Sequence, residues 1–140
     1  MQLTDFADFG MRLLMWLAAR PEEAHSTAAL AEELGLSRDH LAKIVSHLAR
    51  AGYLHTSRGT GGGLRLARDP GEIRLGELLR VLDRDLPLVA CFGTRRPCSL
   101  EPHCRLRPHL AEAREAFYRA LDRHTLAEVA LPAAVAVSRR

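Results

Sequence analysis

Three cysteines stand close together in the chain and dominate its candidate chemistry. Cys91, Cys98 and Cys104 are separated by six and five residues, and they are the only cysteines among 140 residues. An odd number cannot pair completely into disulfides within one chain, and thiols in a reducing compartment serve more often as metal ligands or reactive groups. The stretch therefore predicts a thiolate-bound metal site.

The spacing of these cysteines favours one kind of metal site over another. Structural zinc sites usually place two cysteines about two to four residues apart, which is closer than here. A wider spacing in a loop lets three thiolates converge on a larger object, such as an iron–sulfur cluster, with room for a further ligand. A cluster is favoured, while zinc with His103 or His109 as an additional ligand stays open.

The elements before the cysteines predict a helix-turn-helix. Thr4 can cap a first helix that runs to about residue 20, and a short helix begins at Ser26 or Thr27 and stops near Gly35. A third helix over 38–51 has an apolar stripe on one face and polar or basic residues on the other. Six residues are the candidates for the DNA groove: Ser37, Arg38, Asp39, Ala42, Lys43 and Ser46.

A β-hairpin directly after the third helix predicts a DNA-binding wing. Residues 53–57 and 64–67 have strand character and flank a glycine-rich turn over 59–63. Cations stand on or beside this hairpin, at Arg58, Arg65 and Arg68. The candidates for contact with the DNA backbone and minor groove are Arg58, Gly61, Gly62 and Gly63. A nucleotide-phosphate loop is disfavoured because no Gly-Lys-Ser/Thr ending follows, whereas a plain flexible hairpin stays open.

The second half of the chain predicts a dimerisation helix. After a fourth helix near 75–82, a long helix begins between residues 105 and 108. Its apolar residues recur at intervals of four and three, as in a coiled coil: Leu106, Leu110, Ala113, Phe117 and Ala120. We expect this seam to form a homodimer, the alternative being that the helix folds back onto its own core.

Together these elements give a mainly α fold, a winged helix-turn-helix with a small β-hairpin wing and a long C-terminal dimerisation helix. We expect a DNA-binding domain over 1–85, a cysteine cluster-binding loop over 86–104, the dimerisation helix over 105–130 and a disordered tail over 131–140.

Composition points to a nucleic-acid partner and away from a membrane. The formal net charge is +3, and Lys43 is the only lysine among 20 Lys and Arg residues. Arginine suits bidentate contact with phosphate and guanine, although a GC-rich genome produces the same bias. No apolar run reaches the roughly 18 residues of a membrane span, and no basic residue precedes Arg12, so we expect a cytoplasmic protein. No known catalytic motif is present, and we expect no enzyme.

Four segments of this sequence resemble one family, the winged-helix iron–sulfur repressors. They are residues 3–10 (LTDFADFG), 36–44 (LSRDHLAKI), 58–63 (RGTGGG) and 104–110 (CRLRPHL). The resemblance extends from residue 1 to about 130. It implies a homodimer that binds a palindromic operator in double-stranded DNA while it carries its cluster.

Within this family the nitric-oxide-sensing members are the more similar ones. They typically add an Asp near the N-terminus to the three cysteines, often from the other subunit, and Asp8 stands at the matching place. The residues alone did not distinguish Asp8 from Asp5. The iron–sulfur-assembly regulators of the family place a ligand His three residues after the third cysteine, where this chain has Arg107. The first cysteine gap is one residue longer than is common in the family.

The resemblance implies a repressor that releases DNA when nitric oxide nitrosylates its cluster, with 4Fe–4S preferred and 2Fe–2S possible. The implied ligands are Cys91, Cys98, Cys104 and Asp8. Three alternatives stay open: an assembly or redox-responsive regulator with a 2Fe–2S cluster, a zinc-stabilised winged-helix regulator, and an electron-transfer enzyme.

Overall fold

A computed structural model describes residues 3–59, 62–83, 89–93, 98–100 and 103–132. The elements follow the order α1 (Asp5–Ala18), α2 (Thr27–Glu33), α3 (Arg38–Arg50), β1 (Leu54–Ser57), β2 (Gly63–Leu66), α4 (Leu75–Leu82) and α5 (Leu106–Leu121). Short 3-10 turns lie at Pro70–Glu72, Ala90–Phe92 and Ala127–Val129. The predicted mainly helical fold with one antiparallel hairpin is confirmed.

Side-chain caps begin the first three helices where the sequence predicts them. The Thr4 hydroxyl accepts a hydrogen bond from the Ala7 amide at 2.9 Å, and the Ser37 hydroxyl accepts one from the His40 amide at 3.2 Å. For α2 the cap is Ser26, whose hydroxyl lies 3.5 Å from the Ala29 amide. Each cap satisfies an amide that has no partner within its helix.

The turn between α2 and α3 is closed by backbone hydrogen bonds around Gly35. Gly35 has φ +66°, a conformation that an L side chain disfavours. Its amide donates to the Glu32 carbonyl at 3.1 Å, and the Leu36 amide donates to the Ala31 carbonyl at 2.8 Å. This pair of bonds is a Schellman motif, which ends α2 sharply and allows α3 to turn away from it.

Helix α1 lies at the centre of the core and contacts α3, α4 and β2. Leu13 and Leu14 are fully buried in it, as are Leu41, Ile44 and Leu48 on the inner face of α3. At Gly10 a Cβ atom would stand 2.6 Å from a methyl group of Leu82, so the absence of a side chain lets the end of α4 approach α1 closely.

The hairpin is joined by a third extended segment. Strands β1 and β2 pair antiparallel with Leu54 opposite Leu66 and Ser57 opposite Gly63. The His25 amide donates to the Leu64 carbonyl at 2.9 Å, and the Leu64 amide donates to the His25 carbonyl at 2.8 Å. His25, which directly precedes the N-cap of α2, therefore fixes the wing against the helix-turn-helix.

Helix α5 packs on α4 and ends earlier than the predicted dimerisation segment. Tyr118 is its buried residue, and Arg80 of α4 contacts the carboxylates of Asp122 at 2.8 Å and Glu115 at 3.4 Å. After Leu121 the chain turns back to the core, where the Leu131 amide donates to the Met15 carbonyl at 3.1 Å.

Within the described residues no helix has the length and apolar character needed to cross a membrane.

We expect Gly76→Ala to destabilise the protein, because Gly76 lies where α4 and α5 touch. A Cβ atom there would overlap the Tyr118 carbonyl oxygen and the Asp122 carboxylate. The expected loss of unfolding free energy is about 1–3 kcal/mol, measured by guanidinium denaturation. Glu112→Ala, an exposed position on α5, is the control. A Gly76→Ala protein with wild-type stability would show that the helices can separate at no cost.

Candidate nucleic-acid interface and metal centre

The outer face of α3 is a free polar surface. Because Leu41, Ile44, Val45 and Leu48 are buried on its inner face, the opposite side of the helix is turned to solvent. All the groove residues predicted from the sequence are exposed there: Ser37, Arg38, Asp39, Ala42, Lys43 and Ser46. Lys43 and Arg38 supply positive charge on this face, as contact with DNA requires.

Aromatic rings of α1 support α3 from the other side. The Phe6 ring meets the His47 ring edge-on, with centroids 5.4 Å apart, and the Phe9 ring meets the His40 ring at 5.7 Å. These contacts fix α3 at both its first and its last turn. Because the positions are far apart in sequence, periodicity could assign Phe6 and Phe9 to a packed face but could not name their partners.

Two of the three cations predicted on or beside the wing are exposed, and the third is engaged in contacts within the fold. Arg58 and Arg65 are exposed on the hairpin. The Arg68 guanidinium instead stacks over the Tyr53 ring at 5.3 Å and pairs with the Glu77 carboxylate at 3.6 Å, so it serves the fold. Arg68 thus lies beside the hairpin as expected, and its charge is engaged by Tyr53 and Glu77.

The glycines at the wing tip are required by the chain itself. A Cβ atom on Gly62 would stand 2.6 Å from the Ser57 carbonyl oxygen, and one on Gly63 would stand 2.7 Å from the His25 carbonyl oxygen. The Gly63 amide is also engaged, since it donates to the Ser57 hydroxyl at 3.2 Å. Contact between Gly62 or Gly63 and DNA stays a prediction, and the predicted contact at Gly61 lies outside the described residues.

The three cysteines are free thiols in the segment between α4 and α5. Cys91 lies in the 3-10 turn Ala90–Phe92, and Cys104 lies directly before Arg105, the N-cap of α5. All three are half-buried. In the described part of the chain, no three Cys, His, Asp or Glu side chains come close enough together to hold one metal ion. The predicted cluster ligands Cys91, Cys98, Cys104 and Asp8 stay a prediction.

Contacts with α5 fix two points in the first half of this segment. The Arg114 guanidinium stacks over the Phe92 ring at 5.0 Å, next to Cys91. At the end of α4, where the segment begins, Asp83 caps the helix and accepts a hydrogen bond from Tyr118 of α5. Burial raises the pKa of the Asp83 carboxyl, and the hydrogen bond from Tyr118 opposes this shift. Burial, followed by the Asp83 charge, raises the pKa of Tyr118.

Asp8 lies in the first turn of α1 and has a partner in its own chain. Its carboxylate is 2.8 Å from the Arg12 guanidinium, one helical turn further along, and its side chain is 40% exposed. The i, i+4 spacing of acid and base predicts such a pair, and that signal was available from the sequence. Asp8 is accessible to a second molecule once this pair opens.

The fold, the exposed face of α3 and the adjoining hairpin define a winged-helix DNA-binding protein. A family model named Rrf2 and described as an iron-dependent transcriptional regulator matches residues 3–131. The chain belongs to this family and is a transcriptional regulator. The resemblance noted from the sequence is thereby confirmed.

Relatives and solved structures agree with this assignment. The chain is 44% identical to the HTH-type transcriptional regulator NsrR of Geobacillus kaustophilus over 92% of its own length and 89% of that protein. It is 39% identical to NsrR of Bacillus subtilis over 92% of its own length and 90% of that protein.

Similar structures include oxidized CymR from Staphylococcus aureus, with TM-score 0.72 and 27% identity over 93% of this chain and 96% of that one. IscR from T. potens has TM-score 0.71 and 26% identity over 91% of this chain and 85% of that one.

We expect Lys43→Ala to weaken DNA binding by about 1–3 kcal/mol, because it removes a cation from the exposed face of α3. Fluorescence anisotropy measures the affinity, with a duplex selected by the wild-type protein from random sequences. Arg119→Ala removes one positive charge from the exposed side of α5 and serves as the control. An equal loss in both variants would attribute the effect to net charge and contradict a role for Lys43 in the interface.

Proposed function

We propose that this regulator is a repressor that binds operator DNA as a homodimer while it carries an iron–sulfur cluster, and that nitric oxide causes it to release the DNA. One observation carries the proposal: three free, half-buried thiols lie between the DNA-binding domain and α5 in a chain 44% identical to NsrR. The family description, an iron-dependent regulator, supports the metal.

The donor set suits a cluster better than a single ion. Three thiolates spaced by six and five residues are soft ligands appropriate to iron–sulfur clusters. Cys104 directly precedes Arg105, the N-cap of α5, so this thiol is held next to a rigid helix. Cys91, Cys98 and Cys104 would hold the cluster, 4Fe–4S in preference to 2Fe–2S, and it would supply the iron with which nitric oxide reacts.

Asp8 is the proposed remaining ligand, and the partner subunit is its proposed origin. Offering its carboxylate to iron requires the Asp8–Arg12 ion pair to open. A carboxylate binds iron less tightly than a thiolate. The iron bound by Asp8 would therefore be the one most open to attack by nitric oxide. The next residue, Phe9, contacts His40 at the start of α3. A change at Asp8 thus has a short physical route to the DNA-binding face.

The exposed side of α5 supports the homodimer. Tyr118 faces α4, whereas Leu106 is 60% exposed and the alanines of the predicted seam are exposed too. Apolar side chains repeating along an accessible helix face gain stability by packing against a second helix. Two copies joined along α5 would present two α3 helices, as a palindromic operator requires.

Anaerobic purification tests the proposal, followed by iron, sulfide and zinc analysis, a visible spectrum and titration with nitric oxide in the presence of the selected duplex. We expect a coloured, iron-bearing protein whose DNA affinity falls as nitric oxide is added. A colourless protein without iron refutes the proposal, and bound zinc would favour a zinc-stabilised regulator. A 2Fe–2S spectrum without a response to nitric oxide would favour an assembly or redox-responsive regulator.

We expect Cys98→Ser to lower iron and sulfide per chain and to bleach the visible spectrum, because one of three thiolates is lost. Iron and acid-labile sulfide are measured on protein reconstituted under identical anaerobic conditions. The neighbouring exposed residue provides the control Ser99→Ala, which we expect to bind iron like the wild type. Full iron content and an unchanged spectrum in Cys98→Ser would exclude this thiol from the ligand set.

We expect Asp8→Ala to retain a cluster on the three cysteines but to reduce the difference in DNA affinity before and after nitric oxide. Asp5→Ala is the matched control, since Asp5 is an exposed acid in the same helical turn. The two variants distinguish the two candidate acids directly. A full response in Asp8→Ala together with a reduced one in Asp5→Ala would transfer the role to Asp5.

A further inference from the structure

His47 lies on the inner side of the last turn of α3 and touches two other helices. Its Nε2 atom is 2.9 Å from the Val81 carbonyl oxygen of α4, and its ring meets the Phe6 ring of α1 at 5.4 Å with an interplanar angle of 85°. The side chain is half-buried, so these contacts, rather than the outer surface of α3, define its surroundings.

The hydrogen bond to Val81 joins α3 to the end of α4. Val81 belongs to the last turn of α4, where carbonyl groups have no amide partner within the helix. A carbonyl only accepts, so the His47 imidazole carries its proton on Nε2 and donates it. Losing this donor would leave a partly buried carbonyl without its partner, which costs more than the bond itself contributes.

The elements that His47 touches are those that lead to the proposed ligands. Helix α4 ends at Leu82 and is capped by Asp83, from which the chain continues to Cys91. Helix α1 carries Asp8 two residues beyond Phe6. A shift of the end of α4 or of the start of α1 therefore reaches α3 through the His47 imidazole. This contact lies in the last turn of α3.

We propose that His47 is a positioning residue that sets α3, the recognition helix of the proposed DNA complex, against α4 and α1. The difference in DNA affinity between cluster-bearing and cluster-free protein is transmitted through its hydrogen bond to Val81. This inference rests on the proposed function, because it concerns how the state of the cluster reaches the DNA-binding face.

The test compares His47→Gln, His47→Met and wild type, each with and without its cluster, by the ratio of the two DNA affinities. The Gln side chain carries an amide donor at nearly the same reach as Nε2. Met keeps a flexible apolar contact with Phe6 but cannot donate. We expect the ratio to shrink about fivefold in His47→Met and to be retained in His47→Gln.

His124→Met is the matched control, since it also removes a hydrogen-bonded imidazole, one that binds Glu128 after the end of α5. Thermal unfolding confirms that each variant is folded, and a purely structural role would weaken both forms equally without changing the ratio. A wild-type ratio in His47→Met, or an equal decrease in both His47 variants, overturns the inference alone. A wild-type protein whose DNA affinity does not depend on the cluster refutes the proposed function together with it.

Discussion

The packing of α1 between α3 and α4 is the constraint on which the rest of the structure depends. Leu13 and Leu14 are fully buried on this helix, and Gly10 brings Leu82 of α4 into direct contact. Each fully buried leucine contributes about 1.5–3 kcal/mol relative to an exposed one, so separating these helices is costly. The relative positions of α1, α3 and α4 are therefore fixed by this shared core.

The local signals in the sequence sufficed for most of the fold. Thr4 and Ser37 cap their helices as predicted, and Gly35 ends α2 in the positive-φ conformation that favours glycine. Such features depend on residues only a few positions apart. The end of α5 at Leu121 was harder to locate, because the chain leaves the helix to bond with Met15, more than a hundred residues away.

In the candidate site, too, the sequence predicts features set by local periodicity but not those that depend on tertiary contacts. The exposed face of α3 follows from helical periodicity, and every predicted groove residue lies on it. The role of Arg68 does not follow, because its stacking on Tyr53 and its ion pair with Glu77 depend on tertiary contacts. The wing glycines show the same limit: sequence position suggested a flexible tip near DNA, whereas backbone atoms of Ser57 and His25 leave no room for a side chain.

The first half of the segment that carries the cysteines is held by α4 and α5. Arg80 and Gly76 hold α4 close to α5, Tyr118 holds Asp83 at one flank, and Arg114 holds Phe92 beside Cys91. Because α4 also contacts α1 at Gly10, the segment that carries the thiols is joined through α4 to the helix packing that orients α3.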